Sequence, residues 1–221
     1  MNKVEQGIEF MRNQKYEEAA KLFTEAIDEN PKDPLGFINF GNLLLHVQDF
    51  ERATIFFQRA LEIDPEIPAA HYGLGNTYFE QENFQLAQTH FEKAMKLGLS
   101  TSDVYFMLGM CMVNQGNPKL SLPYLQRAVE LNKEDVDAAF QYGLALAQSE
   151  QIDLAMNIFN EVLELEESHS DAHYNLAICY LFKDEAKKAI EHFDKAIEIQ
   201  PDHVLALNGK EKVEQMINER S

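Results

Sequence analysis

The sequence predicts an all-α chain built as a solenoid of helix pairs, and two ladders of residues predict it. A small residue recurs every 34 positions, at Gly7, Gly41, Gly75, Gly109, Gly143 and Ala177, with no insertion or deletion across six copies. A large apolar residue keeps the same step at Phe23, Phe57, Phe91, Leu125, Phe159 and Phe193. Two further small slots run in register, Ala19 to Ala189 and Ala26 to Ala196. Small residues at fixed slots let two helix axes approach to about 8–10 Å, and the large side chain fills the space beside them. Each copy reads as two amphipathic helices that cannot bury their own apolar faces. Stability is then a sum over repeats and the interfaces between them, with no central core.

The repeats run 1–33, 34–67, 68–101, 102–135, 136–169 and 170–203, and a closing helix occupies 204–221, so residues 1–221 read as a single solenoid. Repeat one carries Lys3 and Gln6 where apolar residues are expected, which suits an end repeat that faces water. Repeat two is the most regular. Its first helix runs from Pro34 to about Val47 and its second from about Phe50 to Ile63, and Pro65 ends the pair. Asp33 caps the first helix and Pro34 occupies its first turn. Glycine at mid-helix costs about 1 kcal/mol against alanine, so Gly41 predicts that another backbone comes close. Asp49, Asn83 and Asn117 precede second helices and are expected to cap them. In repeat three Gly98 is a left-handed helix stop, and one of Ser100, Thr101 and Ser102 caps the next helix. Repeat four departs from the pattern. Pro118 fits a first turn, but Pro123 lies five residues further on and predicts a bend or a late start, with local weakness. The closing helix has a more polar outer side, as the end of a stack requires.

Composition narrows the function classes. The chain has 221 residues with 37 acids and 19 bases, a net charge of −18, so it repels nucleic acid and anionic membrane. The charge is either a well-solvated surface or a preference for partners that carry basic residues. Cys111 and Cys179 form neither a disulfide framework nor a zinc pattern. They share one slot two repeats apart, roughly 20 Å by helix stacking, and read as packing residues. No run approaches the length of a membrane span, and the first residues lack the apolar stretch of a signal peptide. The expectation is a cytoplasmic chain with reduced thiols. No phosphate loop or catalytic motif appears, and Gly73-Leu74-Gly75 lies in a helical slot where it cannot cradle a phosphate. His169 and His173 have the spacing of two metal ligands on a helix. No third ligand accompanies them, and His173 shares the packing slot of His71. No metal, cofactor or catalytic residue is therefore expected.

The ladders resemble the tetratricopeptide repeat (TPR) family, as found in short bacterial proteins made of TPR repeats alone. That family has small residues at repeat positions 8, 20 and 27, a large apolar residue at 24 and proline at 32. With Pro34 as the first position, Gly41, Ala53, Ala60, Phe57 and Pro65 fall in those slots. The resemblance covers nearly the whole chain. It implies a right-handed superhelix whose concave face is lined by the first helix of each pair, at positions 2, 5, 9, 12 and 13. Position 5 carries Val4, Ile38, Tyr72, Phe106, Phe140 and Tyr174; position 9 carries Ile8, Asn42, Asn76, Met110, Leu144 and Ile178. Position 12 carries Met11, Leu45, Phe79, Val113, Ala147 and Leu181, and position 2 of the last three repeats carries Asp103, Asp137 and Asp171. Position 13 adds Arg12, His46, Glu80 and Phe182.

These side chains read either as an exposed apolar groove with an acidic edge or as packing against the neighbouring first helix. Asn42 and Asn76 either hold a partner's backbone or are solvated. The TPR subtype that clamps acidic chaperone tails needs lysine at position 5. Here that slot holds Val4, Ile38 and Tyr72, and the later aspartates repel such a tail. The resemblance implies a non-catalytic adaptor that holds an apolar or amphipathic segment of a partner protein with flanking Lys or Arg, chiefly on repeats three to six. The second reading is self-association through the groove or the closing helix.

Overall fold

The computed structural model describes residues 2–219. Position 1 of the first repeat and positions 220 and 221 of the closing helix lie outside them. The described residues form thirteen helices and no strand. In chain order these are α1 (Lys3–Arg12), α2 (Tyr16–Glu29), α3 (Pro34–His46), α4 (Phe50–Ile63), α5 (Pro68–Glu80), α6 (Phe84–Lys96) and α7 (Ser102–Asn114). They continue with α8 (Pro118–Leu131), α9 (Val136–Gln148), α10 (Ile152–Leu165), α11 (Ser170–Phe182), α12 (Ala186–Ile199) and α13 (Val204–Glu219). The chain separates into two compact units, Met1–Gln115 with α1–α7 and Gly116–Ser221 with α8–α13. Within each unit a helix packs on the helices before and after it, from α1 to α7 in one and from α8 to α13 in the other. This is the all-α solenoid that the ladders predict.

The periodic phenylalanine holds the stack. Phe57 is fully buried on α4. A methyl group on Gly41 of α3 would lie 2.8 Å from its ring, and one on Gly73 of α5 would lie 2.2 Å away. The ring is therefore gripped by glycines from its own repeat and the next. The approach that Gly41 predicted is real, but what approaches is an aromatic ring and not a backbone. The arrangement recurs where Gly7 meets Phe23, Gly75 meets Phe91, Gly143 meets Phe159 and Gly209 meets Phe193. Gly209 extends it to α13, which packs on α12 as the first helix of a further repeat would.

The helix ends follow local chemistry. The Asp33 side chain accepts from the Leu35 amide at 2.9 Å, with Pro34 in the first turn. Asp49 and Asn83 accept from the amides of Arg52 and Leu86. Asn117 and Thr101 hold N-cap positions without a side-chain cap bond, so two expected caps are filled in place only. Gly98 ends α6 at φ +99°, the left-handed stop expected there. A further ladder lies in the turns between paired helices, where Gln14, Gln48, Glu82, Gly116, Glu150 and Asp184 all have positive φ. In the first turn the Lys15 amide donates to the Phe10 carbonyl and the Gln14 amide to that of Met11, a Schellman closure. Five of the six repeats place a residue with a Cβ in that left-handed position.

Helix α8 runs unbroken from Pro118 to Leu131 with Pro123 in its interior, so the late start expected there does not occur. Proline brings no N–H to that turn, and an interior proline costs about 3 kcal/mol or more. Amides of α8 are expected to exchange with solvent faster than those of α4 and α6. Equal protection across the three helices in hydrogen-exchange mass spectrometry would remove the idea of local weakness.

Candidate protein-binding surface

Residues three or four apart share one face of a helix. That spacing aligns Tyr72, Asn76 and Phe79 on α5, and Asp103, Phe106 and Met110 on α7. It likewise aligns Asp137, Phe140 and Leu144 on α9, and Asp171, Tyr174, Ile178 and Leu181 on α11. The three aspartates are exposed and the other members of these stripes are half-buried. On α3, Asn42 is exposed, but Ile38 is only 4% exposed and belongs to the core around Phe57 and Leu74. Ile38 therefore supplies packing and no binding surface, because α3 turns that position towards α4 and α5.

The half-buried side chains are braced from below. The Tyr72 ring lies 5.6 Å from Phe91, and its hydroxyl is hydrogen-bonded to Asn76. Burial pushes that hydroxyl above the ordinary tyrosine range. Asn76 thus already has a partner within the chain, whereas Asn42 has none among the described residues. Phe79 meets Phe84 edge-on at 5.2 Å. In the second unit, Phe140 lies 4.6 Å from the His169 ring and Tyr174 lies 5.3 Å from that of His203. Both histidines also cap helices. The His169 Nδ1 accepts from the Ala172 amide and the His203 Nδ1 from the Ala206 amide, each at 3.2 Å. The His203 Nε2 in turn bonds the Asp171 carboxylate at 3.1 Å, so Asp171 is partly engaged while Asp103 and Asp137 are not. Sequence reasoning set His169 aside as a metal ligand and placed it at a helix start, but it recognised neither His169 nor His203 as a cap. Their shared slot with the caps Asp33 and Asp135 was the available signal.

A cavity of about 330 Å³ opens between α1, α2 and α3, lined by Ile8, Met11, Arg12, Tyr16, Asn39, Asn42 and His46. The Tyr16 hydroxyl and the His46 Nε2 are 2.7 Å apart and close one side. Sequence reasoning placed the binding weight on repeats three to six, yet this cavity lies on repeats one and two. At the other end of the chain, a cleft of about 210 Å³ is formed by α11, α12 and α13 with Leu181, Val213, Met216 and Ile217.

The chemistry of the remaining groups is plain. His173 pairs with His192 and His169 serves as a cap, so the two do not converge on a common ligand. Among the described residues no group of three or more His, Cys, Asp or Glu is placed to hold a metal ion. Cys111 and Cys179 are buried, and burial pushes their thiols up to about 12 and about 11. They stay protonated at neutral pH, which makes them poor nucleophiles. No helix among the described residues is long and apolar enough to cross a membrane.

Comparison with known proteins adds to this geometry. Family models described as tetratricopeptide repeat match residues 4–68 and 112–165, residues 66–134, and residues 170–203. The chain is 47% identical to YrrB, described as a TPR protein with an unusual peptide-binding site. The match covers 87% of this chain and 99% of that one, with a TM-score of 0.82. PilF of Pseudomonas aeruginosa shares the fold at 13% identity and a TM-score of 0.82, over 95% of this chain and 96% of that one. The protein MamA does so at 22% identity and a TM-score of 0.69, over 74% of this chain and 96% of that one. No curated protein matches the chain.

Proposed function

Because the chain belongs to the tetratricopeptide repeat family, we propose that it is a non-catalytic adaptor that binds an apolar or amphipathic segment of a partner protein along its first helices. TPR repeats serve as scaffolds for protein–protein contact, and the similar YrrB carries a peptide-binding site. One observation carries the finer reading. Asp103, Asp137 and Asp171 are exposed, each one helical turn from a half-buried aromatic, Phe106, Phe140 or Tyr174. An apolar segment settles on the rings, and flanking Lys or Arg meets the carboxylates.

Charge reversal tests it better than removal of the rings, which brace the fold. Asp103→Lys with Asp137→Lys is expected to leave helicity intact and weaken capture of the wild-type partners at least tenfold. Wild-type binding should also weaken as salt rises. Unchanged capture by the double variant, read by affinity purification with mass spectrometry, removes the proposal.

Self-association is the second reading, favoured by the exposed Val204, Leu205, Leu207 and Met216 on α13. Light scattering over a concentration range separates the two, since a strict monomer excludes it.

A further inference from the structure

Two repeats carry a four-residue constellation that the others lack. In repeat three it is His71, Tyr72 and Tyr78 on α5 with His90 on α6; in repeat six it is His173, Tyr174 and Tyr180 on α11 with His192 on α12. The members are 102 residues apart, three repeats. In each case the two Nδ1 atoms are 3.1 Å apart. The ring centroids are 5.4 Å apart in the first pair and 5.3 Å in the second, which leaves little more than the two ring radii. The nitrogens therefore face each other head-on, and a single proton lies between them. Tyr78 stacks on His90 and Tyr180 on His192, each at an interplanar angle under 30°.

The outer nitrogens settle the tautomers. The His71 Nε2 faces the Pro65 carbonyl at 3.4 Å, and His173 is bonded to the Glu167 carbonyl, the equivalent position. A carbonyl only accepts, so His71 and His173 carry their proton on Nε2. Their Nδ1 atoms then accept from His90 and His192. A first added proton lands on the remote Nε2 of His90 or His192 and preserves the bond. A second must land between the rings, where it sets two cations head-on at 3.1 Å and breaks the link between the helices.

We propose that these histidine pairs are acid-sensitive clasps that hold the two helices of repeats three and six together and, when protonated, loosen the tyrosines beside them. The regulatory part rests on the groove reading above, because Tyr72 and Tyr174, next in sequence to the clasps, lean on Phe91 and Phe193 next to the partner histidines. The charged groups nearby disfavour protonation in repeat three, where Lys93 acts on His71. In repeat six Lys195 acts on both rings, Glu167 opposes it at His173, His169 adds to it, and the Lys188 ammonium lies over Tyr180. The second pair also lines a cavity of about 830 Å³ with Glu166 and Glu198, through which solvent supplies the proton.

All four rings titrate below the ordinary histidine range, chiefly through burial, and His90 and His192 fall to about 4. A base whose folded pKa is lowered binds more protons when unfolded. Stability is then complete above about pH 6.5 and is lost as pH falls towards about 4.

The same slots in other repeats are internal controls: Phe37 and Phe56 in repeat two, Ala139 and Ile158 in repeat five. Hydrogen exchange at about pH 5 and about pH 7, corrected for intrinsic rates, should show α5, α6, α11 and α12 losing protection at least tenfold, with α3, α4, α9 and α10 little changed. A variant with His71→Phe, His90→Phe, His173→Phe and His192→Phe copies repeat two and should lose this response, and should keep partner bound in acid where the wild type releases it. Uniform loss across repeats, or the same loss in the variant, overturns the clasp. Ring ¹⁵N spectra of the wild type give a readout that needs no variant to fold: four rings titrating as free imidazole would equally overturn it. Exchange is read without partner, so a failed groove leaves the clasp standing and a failed clasp leaves the groove standing.

Discussion

Replacing Phe57 by alanine should lower stability by about 3–5 kcal/mol, the range for emptying a site filled by a fully buried ring. The effect is large because the ring is shared. It fills the slot under Gly41 within its repeat and the slot under Gly73 of the next, so its loss loosens α3, α4 and α5 together. A solenoid transmits stability only between neighbours. Hydrogen exchange should therefore show the loss centred on these helices, while α11 and α12 keep their protection. The glycines make a complementary test. Gly73→Ala places a methyl 2.2 Å from the ring and should cost about 1–3 kcal/mol by overpacking. Gly73→Ala combined with Phe57→Leu should cost less than the sum of the two single changes, because the smaller side chain makes room for the methyl. Urea denaturation measures all three. Phe57→Ala costing under about 1 kcal/mol, or strict additivity in the pair, contradicts the shared-ring account.

The second large effect has the opposite sign. Gln14, Gln48, Glu82, Glu150 and Asp184 hold left-handed backbone in the turns between paired helices, with φ of 59°, 61°, 59°, 64° and 58°. A left-handed residue with a Cβ costs roughly 1–2 kcal/mol, part of which glycine returns through its freer unfolded chain. Glycine at each position should add roughly 0.5–1 kcal/mol, and the well-separated sites should sum to several kcal/mol. Repeat four already has Gly116 there, and Gly116→Ala should destabilise by roughly 1 kcal/mol. Three of the five substitutions remove an acid from a chain of net charge −18, which by itself relieves repulsion. The control is Glu82→Gln, Glu150→Gln and Asp184→Asn, which removes the charge and keeps the Cβ. Thermal unfolding should place the glycine variant well above both control and wild type, and a midpoint equal to the control would assign the gain to charge.

The fold was readable because its causes are local or periodic. Asp33-Pro34 and Asp49 start helices by bonds to their own next residues, and Gly98 stops one by its own backbone. Pro123 misled in part. Its ring and missing N–H are local facts, yet α8 absorbs them without a break, which sequence alone does not disclose. The candidate surface was less readable. Spacing grouped Ile38, Asn76 and Asp171 with their helix neighbours without revealing that Ile38 is buried, that Asn76 serves Tyr72 or that Asp171 bonds His203.

A 34-residue period records which slots must be small and which large, and that alone determined an all-α stack of helix pairs and its family. What the period does not record is the partner atom on the facing helix. That depends on how two helices cross, and it is set only when side chains from separate elements meet. The tertiary structure therefore decided that a ring and not a backbone fills the glycine slot. It also decided that histidines 19 positions apart face each other nitrogen to nitrogen.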